Sequence, residues 1–311
     1  MSTLRPVLLL LVALLIGCDT TATQPESEIV VESYLEAEAP LPTVRLSRTV
    51  GVDEAYEPAE DAVRGADVVV ERLTADSTVA EAIPYTERDT TPGVYAPDDP
   101  APVQPESTYR LQVRPDEGPS LTAVTTVPDA FALSDVQNDT TTYQSARQPA
   151  FTFDPPRALT DRQNVYTFTT TSQLDFEGLP DSTLRRALTP FYADGFDSAD
   201  DTLSAFRITS SGLLNEGNFT QNADGTVTVD LPWIAVAFYG PNEVAVNVLD
   251  DNFYDILRSQ QVQQGGLSPG EIPNVLEHVD GGTGIFGSYA RAARTVFIGP
   301  PGGPDGAQSR P

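Results

Sequence analysis

The chain has no lysine, and only one cysteine, one histidine, one methionine and one tryptophan in 311 residues. Each shortage removes a class of function. Cys18 stands alone and cannot close an internal disulfide; with a single histidine beside it, the chain falls short of the four nitrogen or sulfur ligands of a structural zinc site. Basic charge is scarce as well. Eighteen arginines face 45 acidic residues, and the formal charge of −27 repels phosphate backbones, so nucleic acid is not expected as a partner. An apolar run of ten residues, Val7–Ile16, would make about 15 Å of helix, half of a bilayer's roughly 30 Å hydrocarbon core, and so does not span one. Hydrophobic residues at 40% and charged residues at 20% exclude both a disordered acidic tail and a membrane bundle, and the length fits two domains.

What is present begins with an address. Residues 1–17 carry Arg5, no acid and the apolar run, the pattern of a cleaved secretory signal. Leu15-Ile16-Gly17-Cys18 resembles a bacterial lipobox, which implies cleavage after the small Gly17 and lipidation of Cys18 as the first mature residue. Acyl chains contribute about 0.8 kcal/mol per buried CH₂, enough in combination to hold a protein at a membrane without a transmembrane helix. Residues 18–27 are polar and without periodicity, the expected tether between lipid and fold. The acidic excess together with the all-arginine basic set points to a halophile, because carboxylate repulsion is screened when molar salt shortens the Debye length to about 3 Å. An ordinary acidic exported protein is the alternative.

From residue 28 the chain reads as short strands punctuated by Pro, Gly, Asp and Thr. In Tyr109-Arg110-Leu111-Gln112-Val113-Arg114 apolar and polar residues alternate, as a half-buried strand requires. Strands are expected at 29–35, 43–50, 66–73, 78–83, 93–95, 108–114 and 121–127, a density that argues for an immunoglobulin- or transthyretin-like β-sandwich over residues 28–128. A linker or bridging segment is expected at 128–149, within a second β-rich domain spanning 129–298. Its strands are expected at 150–153, 165–171, 205–209, 226–231, 234–238, 244–249, 285–289 and 295–298. Phe253, Ile256, Leu257 and Gln260 share one face of a helix expected over 252–264, and a weaker helix is expected over 179–191 with Asp181 or Ser182 as its cap. The tail 299–311 holds four glycines and four prolines and is expected to be disordered. The fold class is therefore mainly β, a sandwich followed by a second β-rich domain with one or two short helices.

Candidate chemistry is sparse. Gly282-x-Gly284-x-x-Gly287 matches a dinucleotide-binding pattern letter for letter, but no βαβ unit surrounds it, so a glycine-rich turn or bulge is expected, with Ile285 and Phe286 re-entering the core. His278, near Glu277 and Asp280, is a candidate base or metal ligand, and more often such a lone histidine is structural. Asp194, Asp197, Asp200 and Asp201 are dense enough for Ca²⁺ but depart from an EF-hand spacing, which favours a solvated loop. Trp233 is expected in the core and not in a sugar platform. No serine or cysteine sits in a nucleophile motif.

Several distributed features recur in one order: the lipobox Cys18, Val30-Val31-Glu32-Ser33-Tyr34-Leu35, Pro42-Thr43-Val44-Arg45-Leu46-Ser47-Arg48-Thr49, Val63-Arg64-Gly65-Ala66-Asp67-Val68, Gly93-Val94-Tyr95, Tyr109-Arg110-Leu111-Gln112-Val113 and Gly281-Gly282-x-Gly284-Ile285-Phe286-Gly287. Over nearly the whole mature length the chain resembles the DUF4249 family of Bacteroidota lipoproteins. Pro105-Glu106-Ser107 departs from the family's more usual glycine before Thr108. The resemblance implies a transthyretin-like or carboxypeptidase-regulatory-like sandwich and an outer-membrane location, often beside a TonB-dependent receptor; the family supplies no catalytic residues to transfer. The expected function is thus that of a lipid-anchored envelope protein, a binding or accessory partner of a TonB-dependent outer-membrane transporter, without enzymatic activity, cofactor or metal. The alternatives are a surface hydrolase using carboxylates of the second domain and an adhesin-like structural protein.

Overall fold

A computed structural model describes residues 27–51, 54–159, 162–195, 202–264 and 278–302. Residues 1–26, which include the expected signal and Cys18, lie outside the described residues, as do Asp197, Asp200, Asp201 and residues 303–311 of the tail. The fold is mainly β. Its first seven strands are β1 (Ile29–Glu36), β2 (Val44–Arg48), β3 (Asp67–Leu73), β4 (Val79–Glu87), β5 (Val94–Pro97), β6 (Thr108–Arg114) and β7 (Leu121–Thr126). Alternation places them: on β6, Tyr109, Leu111 and Val113 are buried while the arginines and Gln112 face outward.

The 128–149 segment is more structured than the sequence implied. It contains β8 (Leu133–Gln137), paired with β10 (Ala150–Phe153), and β9 (Thr140–Thr142), paired with the end of the last strand. Short polar strands such as Thr140-Thr141-Thr142 bury little apolar surface, so hydrophobic periodicity does not reveal them. Next come β11 (Val165–Ser172), the helices α1 (Asp181–Ala187) and α2 (Pro190–Asp194), and the short strands β12 (Ile208–Ser210), β13 (Leu214–Asn215), β14 (Thr220–Gln221) and β15 (Val227–Asp230). β16 (Gly240–Leu249), α3 (Asp251–Gln264), β17 (Val279–Asp280) and β18 (Thr283–Gly299) complete the chain.

Three local expectations are corrected. The 179–191 helix is two helices, because Thr189 precedes Pro190 and is held extended; Pro180, not Asp181 or Ser182, occupies the α1 cap position. The strand expected at 205–209 is a 3₁₀ turn at Leu203–Phe206 followed by β12 from Ile208, and the one expected at 234–238 is no strand but a 3₁₀ turn at Trp233–Ala235 followed by an isolated bridge at Phe238. At the second, Pro232 presets the turn, and its carbonyl accepts from the Ala235 amide at 2.9 Å. The strands expected at 285–289 and 295–298 are one, since Ala290 and Ala292 face the core and carry the pattern across the gap.

One sheet links most of the strands, in the order β12-β11-β16-β18-β1-β2-β5-β4-β3-β6-β7-β17. β17, beside β7, runs within two residues into β18, so around the first core the strand order returns to its start. A second sheet, β14-β15-β10-β8, covers a second core. The first core is built from Val31, Leu46, Val68, Leu111 and Val113 among others, the second from Phe151, Phe153, Tyr166, Phe168 and Val246 among others. β18 serves both. Its first part pairs in parallel with β1, from Val30 opposite Thr283 to Glu36 opposite Tyr289, and gives Phe286 to the first core. From Tyr289 to Ile298 it pairs antiparallel with β16 and gives Ala290, Ala292, Val296 and Ile298 to the second. A small third cluster under α1 and α2 joins Leu184, Leu188, Leu203 and Phe238.

Candidate functional site

Where the two cores meet, the N-terminus of α3 plugs between β7 and β18. Asp250, 6% exposed, caps the helix: its Oδ1 accepts from the Phe253 amide at 2.9 Å, and its own amide donates to the Ser288 carbonyl at 3.0 Å. Its Oδ2 accepts from the Thr125 hydroxyl, which also hydrogen-bonds the Ser288 hydroxyl at 2.7 Å. Asn252 donates both amide hydrogens, to the carbonyls of Val124 at 2.7 Å and Phe286 at 2.8 Å. Below this polar knot, Phe253 packs on the rings of Tyr34 at 5.0 Å and Tyr289 at 6.0 Å.

Burial penalises the charged form of Asp250 and outweighs the hydrogen bonds from Thr125 and the Phe253 and Ser288 backbones that favour it, so its pKa is pushed up to about 6; the Asp251 charge adds to the rise. Asp251 is ion-paired with Arg162, whose guanidinium lies 3.9 Å from the centre of the Tyr254 ring. A cleft of about 220 Å³ opens at this joint, with Thr125, Arg162, Asn164, Asp250, Asp251 and Asn252 in its wall. A carboxyl with a raised pKa in a cleft is the usual mark of a functional position. Here, however, both Asp250 oxygens are engaged and the Ser288 hydroxyl is fully buried, so the arrangement is suited to holding elements together.

In the sequence Asp250 and Asp251 are simply two acids just before the helix expected over 252–264. No spacing rule foretells that residues 125, 250 and 288 meet.

The glycine motif is the close approach expected of it. Gly281 and Gly284 have φ of +85° and +106°, and a Cβ on Gly284 would lie 2.1 Å from the Val31 carbonyl oxygen. Ile285 and Phe286 are buried. His278 is bonded to Asp255 of α3, Nε2 to Oδ2 at 2.9 Å, away from the cleft wall. Trp233 is half-buried, packing edge-on against Tyr143 at 5.2 Å beside the second core. Asp194 ends α2; among the described residues no three His, Cys, Asp or Glu side chains converge on a metal position. Among these residues no helix is long and apolar enough to cross a membrane.

A second feature lies at the far end of β18. There Gly240 pairs with Ile298, the Tyr239 amide donates to Ala187 at 2.7 Å, and the α1–α2 lobe is attached. Around Tyr192 this lobe exposes Phe191, Ile234 and Ile208 by 57%, 47% and 61%. The Tyr192 hydroxyl donates to the Ile234 carbonyl at 2.7 Å, its ring meets Phe191 at 5.1 Å, and Thr209 donates to the Ala235 carbonyl at 2.6 Å. Large exposed apolar side chains such as these are candidates for a contact surface.

A family model described as a domain of unknown function, DUF4249, matches residues 18–295. The chain belongs to the DUF4249 family. Among solved structures, the DUF4249 chain is similar to a tetra-tandem repeat in the extending region of a large adhesion protein, at 10% identity and a TM-score of 0.21 over 87% of this chain and 48% of that one. It is also similar to Salmonella alpha-2-macroglobulin reacted with methylamine, at 12% identity and a TM-score of 0.23 over 87% of this chain and 15% of that one. A third similarity is to the chicken CNTN1 FN1-FN3 domains, at 12% identity and a TM-score of 0.20 over 70% and 59% of the two chains. The DUF4249 chain thus spans about half or less of the first two, and these distant likenesses carry no argument about activity. No curated protein sequence matches it.

Proposed function

We propose that this DUF4249 protein is a lipid-tethered binding protein of the outer membrane that assists a TonB-dependent transporter. The observation that carries the reading is the separation of its two ends. The chain enters the fold beside the start of β18, where Ser27 and Glu28 bond Thr49, while the exposed Phe191, Ile208 and Ile234 gather at the lobe beside the other end of that strand. Seventeen residues at about 3.3 Å each allow those ends to lie up to roughly 55 Å apart. A tether at one pole and an apolar surface at the other suit a protein that holds a neighbour.

Two measurements test it. Extraction of native envelopes in mild detergent should recover a β-barrel receptor with the wild-type chain, and F191S/I234S should lower that recovery about tenfold, the effect expected of interface anchors. Consistent recovery of no barrel would remove the partner. Labelled palmitate should appear on the wild-type chain and not on Cys18→Ala, and an unlabelled wild type would remove the tether.

A further inference from the structure

The joint at Asp250 is built from groups that respond differently to a proton. When the carboxyl is ionised, the hydroxyl chain runs Ser288 to Thr125 to Asp250, each hydroxyl donating to the next oxygen. When it is protonated, Asp250 donates to Thr125 and the chain reverses, and the charge that burial penalises is gone. Nothing charged on the adjoining strands offsets the ionised form. β7 reads Leu-Thr-Ala-Val-Thr-Thr, with no ionisable residue. The charged residues of β18 are Arg291 and Arg294; Arg291 is paired with Glu243, and Arg294 is exposed further along the strand. From the loop before β11 comes Arg162, bound to Asp251. On α3 itself, Asp251 adds like charge, and Asp255 is bound to His278.

We propose that Asp250, Thr125 and Ser288 form a proton-sensitive latch between the first core and α3: protonation of Asp250 closes it, and ionisation lets the first turn of α3 open toward the cleft and hydrate the carboxylate. This inference does not rest on the transporter reading, and it regulates the cleft at the joint. The sign follows from linkage. A carboxyl whose pKa is higher closed than open, about 6 against the ordinary 3.8, binds more protons in the closed form, so closure weakens as pH rises from about 4 through about 6. Above that window the weakening is complete.

The test is hydrogen exchange at the Phe253 and Tyr254 amides, corrected for the intrinsic pH dependence of exchange. Between pH 5 and pH 7.5 their protection in the wild type should fall about tenfold, from the two pKa values and the unit-by-unit conversion. In D250N, whose amide keeps an acceptor for Phe253 and a donor for Thr125, protection should stay flat. A flat wild-type profile, or an equal fall in D250N, overturns the latch. Should D250N fail to fold, the carboxyl ¹³C shift of wild-type Asp250 decides: a midpoint near 6 accompanied by shifts at Thr125 and Ser288 supports the latch, and a midpoint near 4 overturns it.

Discussion

Gly284 stands in β18 opposite Val31 of β1, and its backbone is suited to glycine. Its φ of +106° is unfavourable for any L side chain, and a Cβ there would meet the Val31 carbonyl oxygen and amide, which are fixed by the parallel pairing. Gly284→Ala should therefore lower unfolding free energy by about 2 kcal/mol or more, read as a shift in the urea midpoint without a change in slope. This position was legible in the sequence as a turn or bulge, because three glycines beside two large apolar residues have few other uses outside a βαβ unit. Asp250 was not legible in the same way. Its significance depends on burial by β7, a strand 125 positions earlier, and local pattern carries no information on such a meeting.

At the scale of elements, α3 is held mainly through one aromatic side chain and its capped first turn. Phe253 sits between Tyr34 of β1 and Tyr289 of β18, and the Tyr289 hydroxyl in turn donates to Glu36 at 2.8 Å. Burial raises the pKa of both tyrosines, Tyr34 to about 12, so both stay neutral and act as apolar plates. Phe253 is half-buried, so Phe253→Ala should cost about 1–2 kcal/mol of stability, below the range for a fully buried phenylalanine, and should reduce near-ultraviolet circular dichroism from the tyrosines. The helix was visible from its spacing of Phe253, Ile256 and Leu257, and the seven strands of the first core from their alternation. The 3₁₀ turns at 203–206 and 233–235 were hidden because Leu203, Phe206, Ile234 and Val236 are as apolar as strand residues; only Pro232 hinted that the chain bends.

For the whole molecule, the formal charge of −27 spread over a mainly β body makes self-repulsion a global term. If the acidic surface is an adaptation to high salt, the melting temperature should rise steadily from low to molar salt, as repulsion beyond a few ångströms is screened. A flat or falling curve in a thermal titration would favour an ordinary acidic exported protein. The composition made the charge plain from the start, whereas the way the two cores share a strand is invisible to any single-segment reading. That sharing has a consequence for how the protein is made. Because β1 waits for residues 283–289 and β16 for residues 289–298, synthesis of the first 280 residues completes neither core. A chain delivered N-terminus first leaves both cores incomplete until residues 283–298 arrive, and that one segment then completes both halves together.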